Sequence, residues 1–289
     1  MTLLPAPRRA AAIAPQASHD GELVRLWLHG RPETTRRAYG GDIARFLAAV
    51  AKPLSAVTLG DVQDYADSLA DLAPATQARQ LSAVKSLLAF GHRIGALPVN
   101  VGAAVRLPKL RSRLAERILP EPAVQRVLAL EPNPRNRALL RLAYAGGLRV
   151  SELVGLCWRD LQPRGDAGQV TVFGKGGKTR TVLLTPGTWA ELAALGKGAG
   201  PDDPVFGSRN GGHLDPRQVR RIVLGAARRA GLEAKVSPHW LRHAHASHAL
   251  DRGAPVHLVA ATLGHASIAT TGKYAHARPT DSSSRYLAV

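Results

Sequence analysis

Cysteine is almost absent. Cys157 is the only one, so an intrachain disulfide is excluded and a reducing interior is the simplest compartment. No apolar run approaches the roughly 18 residues that a membrane-spanning helix needs, and the expected location is cytoplasmic. Aromatic residues are only 4% of the 289, against 45% hydrophobic residues overall. With Ala and Leu recurring at three- and four-residue spacings, that balance points to a mainly helical protein with a real core. Acidic residues are also scarce, 21 against 39 Lys and Arg, a formal charge of +18. Such an excess is self-repulsive until a polyanion neutralises it, and nucleic acid is the obvious polyanion.

The excess is unevenly spread. Residues 20–105 carry net +1, residues 106–117 net +4 and residues 118–289 net +11. The expected organisation is a disordered tail over 1–18, a helical domain over 19–104, a basic linker over 105–117 and a second domain over 118–289. The N-terminal "MTLLPAPRRAAAIAPQ" is broken by three prolines, and its arginines are misplaced for a signal peptide. A transit peptide is the alternative to a disordered tail.

Four helices are expected before the linker. Asp20 can cap the first, Pro32 opens the second, Thr58 and Asp61 form a capping-box pair before the third, and a long amphipathic fourth ends at Gly95. The second half reads as further helices at about 121–130 and 135–145, a Gly146-Gly147 break, and a short helix capped by Ser151. The sheet signal is "QVTVF" and "TRTVLL" around "GKGGK", followed by helices at about 187–195, 216–230, 239–252 and 255–263.

Two stretches invite chemistry that their details refuse. "FGKGGKTR" resembles a phosphate loop, but Val172 stands where the first glycine is needed, and the loop leads into a strand rather than a helix. A hairpin tip carrying Lys175 and Lys178 is better suited to reaching a DNA groove or backbone phosphate. "SPHWLRHAHASH" holds four histidines, with His239 and His243 four apart. Trp240 sits where a zinc-protease helix has glutamate, no carboxylate lies between Ser237 and His248, and no metal is expected. His239 and Arg242, three apart, can aim an imidazole and a guanidinium at one phosphate. His243, His245 and His248 read as structural or surface histidines. Downstream, "LGHASIATTGKYAHA" supplies His265 and Tyr274, with the intervening "ATT" expected to reverse the chain or start a short helix.

Over residues 20–280 the sequence resembles the tyrosine recombinase, or phage integrase, family, and looks closest to its compact Xer-like members. The resemblance is carried by "GGLRVSEL" with Arg149, "GKGGKTR" with Lys175, "SPHWLRHAHASH" with His239 and Arg242, and "LGHASIATTGKY" with His265 and Tyr274. It implies a helical, SAM-like four-helix core-binding domain and an α-rich catalytic domain with a small β-hairpin or sheet. It also implies DNA strand exchange through a 3′-phosphotyrosyl link formed by Tyr274, without metal, ATP or other cofactor. Arg149 and Arg242 are expected on the nonbridging phosphate oxygens, Lys175 as acid for the 5′-oxygen with Lys178 as runner-up, His239 in proton transfer at the tyrosine, and His265 as a donor. The expected partner is double-stranded DNA, gripped by a homo- or hetero-tetramer in a synaptic complex with no membrane involved. Arg36, Arg37, Arg79, Lys85, Lys109, Arg111, Arg217, Arg220 and Arg221 are candidate contacts. A type IB-like topoisomerase and a catalytically silent DNA-binding relative are the alternatives.

Overall fold

The computed structural model describes residues 16–277 except 175, 176, 178 and 234. Residues 1–15 of the tail expected over 1–18, Lys175 and Lys178, and the serine-rich segment 278–289 lie outside the described residues. The chain divides into two compact units between Arg111 and Ser112. The fold is mainly α, with one three-stranded antiparallel sheet in the second unit.

The first unit packs α1 (Asp20–Leu28), α2 (Glu33–Val50), α3 (Leu59–Ser68) and α4 (Pro74–Arg93) around Leu23, Trp27, Ile43, Phe46, Val62, Leu81, Val84 and Leu87. Each aliphatic buried this way contributes about 1.5–3 kcal/mol of transfer free energy. Trp27 stacks on Tyr39 at 5.5 Å, with the Arg31 guanidinium 4.8 Å from the indole centroid. The capping box forms as expected: the Thr58 amide donates to Asp61 at 2.7 Å and the Asp61 amide to Thr58 Oγ1 at 3.3 Å. Asp20 does not cap α1. His19 does, its ring Nδ1 accepting from the Glu22 amide at 3.1 Å, which leaves the Asp20 carboxylate to accept from the Leu54 amide at 2.9 Å.

The second unit holds α5 (Glu121–Ala129), α6 (Pro134–Ala145), α7 (Val150–Gly155), β1 (Leu161–Arg164), β2 (Ala167–Phe173), β3 (Thr179–Leu184), α8 (Pro186–Leu195), α9 (Pro216–Arg229), α10 (Pro238–Asp251), α11 (Val256–Leu263) and α12 (Ile268–Ala277). The sheet order is β1-β2-β3, with Leu161 opposite Val170 and Val172 opposite Arg180. Val170, Val172, Val182 and Leu184 bury one face in a core with Leu139, Leu140, Leu142 and Leu192. Strand β1 was not expected, because "LQPR" contains Pro163 and lacks β-branched residues; it survives as an edge strand, where a missing amide donor is tolerated. Gly168 is required where it stands, since a Cβ there would overlap the Trp189 ring.

Ser151 is not the cap of α7, because the helix already includes Val150. Arg149 takes the cap position and its amide donates to the Glu152 carboxylate at 2.7 Å. The "ATT" segment continues as helix within α12 and makes no reversal. Ile118, Ala246, Val259, Leu263 and Tyr274 form a separate small apolar cluster, which fixes the Tyr274 ring with 6% of its surface exposed.

Candidate active site

Three consecutive backbone carbonyls at the end of α11 organise the site. The last turn of a helix has carbonyls without intrahelical partners and carries the negative end of the helix dipole, so it attracts cations. Here Thr262 O accepts from Arg180 Nε at 2.7 Å, Leu263 O from Arg242 Nη2 at 2.6 Å, and Gly264 O from Arg149 Nη2 at 3.0 Å. Gly264 has φ +62°, and a Cβ there would lie about 3.0 Å from the Arg180 guanidinium, so glycine satisfies both the left-handed cap and the close approach.

The Gly146-Gly147 break has a matching purpose. Gly147 has φ +59°, and a Cβ would lie 2.6 Å from Leu263 Cδ2 and 3.0 Å from the His245 ring. That tight passage brings its carbonyl to Arg242 Nη1. Arg242 is thus clamped between two backbone oxygens with only 5% exposure, and burial, reinforced by Arg149, pulls its guanidinium down to about 10.

One carboxylate serves the cluster. Glu152 Oε1 accepts from Arg149 Nη1 at 2.8 Å, while Arg180 Nη1 and Nη2 bind Oε1 and Oε2 at 2.9 and 2.8 Å. Burial raises the Glu152 carboxyl, but the bonds from Arg180 and from the Arg149 amide and side chain outweigh it and hold the group at about 2. Two guanidiniums therefore share one anion while a third, Arg242, is held nearby by carbonyl oxygens, and the surplus positive charge suits an incoming phosphate.

Helix α10 presents His239 and His243 one turn apart, with ring centroids at 6.5 Å. His243 Nδ1 lies 2.9 Å from the Tyr274 hydroxyl. The His265 ring runs parallel to the Tyr274 ring at 6.3 Å, and its Nδ1 sits 2.8 Å from Thr271 Oγ1. Burial lowers all three imidazoles: His239 with help from Arg242 and Arg220, His243 to about 4 with help from His239 and Arg117, and His265 to about 4 with help from the arginines Arg242, Arg149 and Arg180. They are neutral near pH 7. Burial raises the Tyr274 phenol, which Arg242 partly opposes.

The structure thus brings Arg149, His239, Arg242, His265 and Tyr274 together, while Lys175 and Lys178 lie outside the described residues. It assigns a place at the tyrosine to His243, which the sequence reads as structural or surface; the four-residue offset from His239 on one helix was the available signal. It also adds Glu152 and Arg180, both visible within the quoted motifs but given no role. The other two histidines serve Tyr144: His245 Nδ1 is 2.8 Å from its carbonyl oxygen and His248 Nδ1 2.9 Å from its hydroxyl.

Two candidate DNA contacts are employed inside the first unit. Arg79 pairs with the fully buried Asp42, and Lys85 Nζ donates to the carbonyls of Gly102 at 2.6 Å, Ala103 at 3.3 Å and Val105. Both side chains thus already have partners within the first unit. Arg36 and Arg37 are exposed and share Glu33 within α2. Lys109 and Arg111 are exposed, as are Arg217, Arg220 and Arg221 on α9. Arg217 and Arg221 line an open cleft of about 820 Å³ with Arg135 and Arg209. Among the described residues no group of three or more His, Cys, Asp or Glu could hold a metal ion, and no helix is long and apolar enough to cross a membrane.

Comparison with known proteins agrees with this geometry. Residues 115–281 match the phage integrase family, and residues 26–95 match the N-terminal SAM-like domain of phage integrases. The chain is 40% identical over 210 residues to the tyrosine recombinase XerC of Xanthomonas campestris pv. campestris (strain B100), a stretch covering 71% of this chain and 65% of that protein's length. It is 36% identical over 298 residues to the tyrosine recombinase XerC of Rhodospirillum centenum (strain ATCC 51521 / SW), covering 93% of this chain and 85% of that one. In fold it is similar to a lambda integrase dimer bound to a COC′ core site, with a TM-score of 0.74 at 19% identity, over 91% of this chain and 77% of the integrase.

Proposed function

This chain belongs to the phage integrase family of tyrosine recombinases and is Xer-like within it, and from that premise we propose that it is a site-specific recombinase that cuts and rejoins DNA through a 3′-phosphotyrosyl intermediate. The observation that carries the reading is the Tyr274 hydroxyl held 2.9 Å from an imidazole, on the helix that also carries the clamped Arg242. A phenol is a weak nucleophile unless its proton has an acceptor and the charge of the phosphorane is met by fixed donors, and the site supplies both.

In the proposed reaction Arg149 and Arg242 hold the nonbridging oxygens of the scissile phosphate, and His265 donates to one of them. Tyr274 attacks phosphorus, and the 5′-oxygen leaves with a proton from Lys175, for which Lys178 is the alternative. His239 assists proton movement on the tyrosine side. A 5′-hydroxyl of a second strand then attacks the phosphotyrosine, so the bond energy is conserved and no ATP is consumed. The first unit is the core-binding half, the basic segment 105–117 follows the DNA backbone, and the working assembly is a tetramer on two paired sites. Lambda integrase as a tetramer on a Holliday junction has the same fold over 90% of this chain, with a TM-score of 0.72 at 18% identity.

The test uses a duplex nicked beside the scissile phosphate, built on the sequence the chain itself captures from fragmented DNA of its host. The wild-type chain forms a detergent-stable adduct, while Tyr274→Phe forms none and still binds. Binding without an adduct from the wild-type chain sinks the enzyme reading in favour of a silent DNA-binding relative. Relaxation of arbitrary supercoiled plasmid without recombinant product indicates the topoisomerase alternative.

A further inference from the structure

Among the described residues, the nitrogen at hydrogen-bonding distance from the tyrosine hydroxyl belongs to His243 rather than His239. His243 is held in place from several sides. It rises from α10 one residue after the clamped Arg242, its ring is 5.6 Å from the Tyr274 ring, and Tyr274 is fixed in the cluster with Ile118, Ala246, Val259 and Leu263. We propose that His243 takes the proton from the Tyr274 hydroxyl as that oxygen attacks phosphorus, and returns it when the strand is rejoined. The proposal rests on Tyr274 being the nucleophile.

The step balances. With the ring proton on Nε2, Nδ1 accepts the phenolic hydrogen bond. As the O–P bond forms, the phenolic O–H bond breaks and its proton moves to Nδ1. The P–O5′ bond breaks, and the 5′-oxygen takes a proton from the acid on the leaving side. Rejoining reverses every transfer. The groups facing His243 are His239 and Arg242 on its own helix, Arg117 at the end of the 3₁₀ turn Ala115–Arg117, and Tyr274 and His265 from the α12 side. In the resting site the cations among them and burial keep the imidazole neutral, ready to accept. The anionic phosphate, and the further charge of the phosphorane, then favour the imidazolium.

Adduct formation is measured on the nicked duplex described above. His243→Gln, which retains a hydrogen-bonding amide but no base, is expected to lower the rate about 10²-fold at pH 7. Its rate should climb about tenfold per pH unit from pH 7 to 9 as hydroxide replaces the missing base, where the wild-type rate is flat. Replacing the bridging 5′-oxygen by sulfur, a leaving group that needs no proton, should leave the His243→Gln defect in place, since the defect lies on the attacking side. If glutamine disturbs folding, judged by thermal unfolding and DNA binding, His243→Ala with added imidazole is the second variant, and its rate should rise with imidazole concentration. A His243→Gln rate within a few-fold of wild type with an unchanged pH profile overturns the proposal, as does full rescue by the 5′-sulfur or no response to imidazole. These outcomes leave Tyr274 as nucleophile intact, whereas a wild-type chain that forms no adduct removes both readings.

Discussion

Two buried carboxylates, one in each compact unit, are each shared by two arginines, yet they sit in opposite electrostatic settings. In the first unit Asp42 is fully buried and pairs with Arg45 and Arg79, whose outer faces meet water. In the second, Glu152 pairs with Arg149 and Arg180, but a third guanidinium, Arg242, is packed beside them with 5% exposure and only carbonyl oxygens as partners. The first arrangement is nearly self-sufficient: its excess charge is solvated and its business is to tie α2 to α4. The second adds the shielded guanidiniums of Arg180 and Arg242 to the partly exposed Arg149, and no second anion among the described residues balances them. An uncompensated, preorganised cluster of this kind costs stability in the free protein and is offset when a phosphate arrives.

The sharpest way to break that contrast is to remove one guanidinium from each setting. Arg242→Lys keeps the charge but loses the two-pronged clamp, and adduct formation is expected to fall about 10²–10³-fold. Arg79→Ala, by contrast, should leave the rate within a few-fold of wild type while costing about 1–3 kcal/mol in denaturant unfolding, because Asp42 keeps only Arg45. Comparable rate losses in the two variants would mean that the clusters are not distinct in function.

A second prediction concerns pH. The folded Glu152 carboxyl sits at about 2, against an ordinary value of 4.5, so the native state releases this proton more readily than the unfolded chain. Its contribution to stability is therefore complete above about pH 4.5 and is lost as pH falls toward 2, amounting to roughly 3 kcal/mol at most. Glu152→Gln should accordingly be less stable than wild type at pH 6, with the gap closing in acid. A gap that widens on acidification would contradict the assigned pairing.

The smallest effect is expected on the exposed face of α9. Arg217→Ala and Arg221→Ala should each weaken DNA binding evenly across sequences and reduce the slope of log affinity against log salt by about 1, with no change in the cleavage rate of bound DNA. An unchanged slope would remove the residue from the interface.

The sequence made the element types legible because they depend on local spacing, as in the helix periodicity around α4 and α6 and the capping box at Thr58, and spacing also paired His239 with Arg242; the rest of the catalytic candidates rested on the family resemblance. What it hid depends on long-range closure. That Arg79 and Lys85 are consumed internally requires knowing that Asp42 and the turn at Val101–Ala104 lie beside α4. Strand β1 was hidden by Pro163, and the cap of α7 by a plausible serine two residues too late. His243 was underrated for the same reason: its partner is 31 residues away and is reached only because α12 packs against α10. Arg180 likewise gains meaning only when β3 is placed against the end of α11, 82 residues later in the chain.

The central claim is that Tyr274, and no other residue, bonds to DNA. Adduct trapped on the nicked duplex can be digested with nuclease and protease and the modified peptide sequenced by mass spectrometry. The account predicts a single nucleotide-bearing peptide with the phosphate on Tyr274, at the 3′ end of the cleaved strand. A phosphate found on any other side chain, or a 5′ linkage, would contradict it.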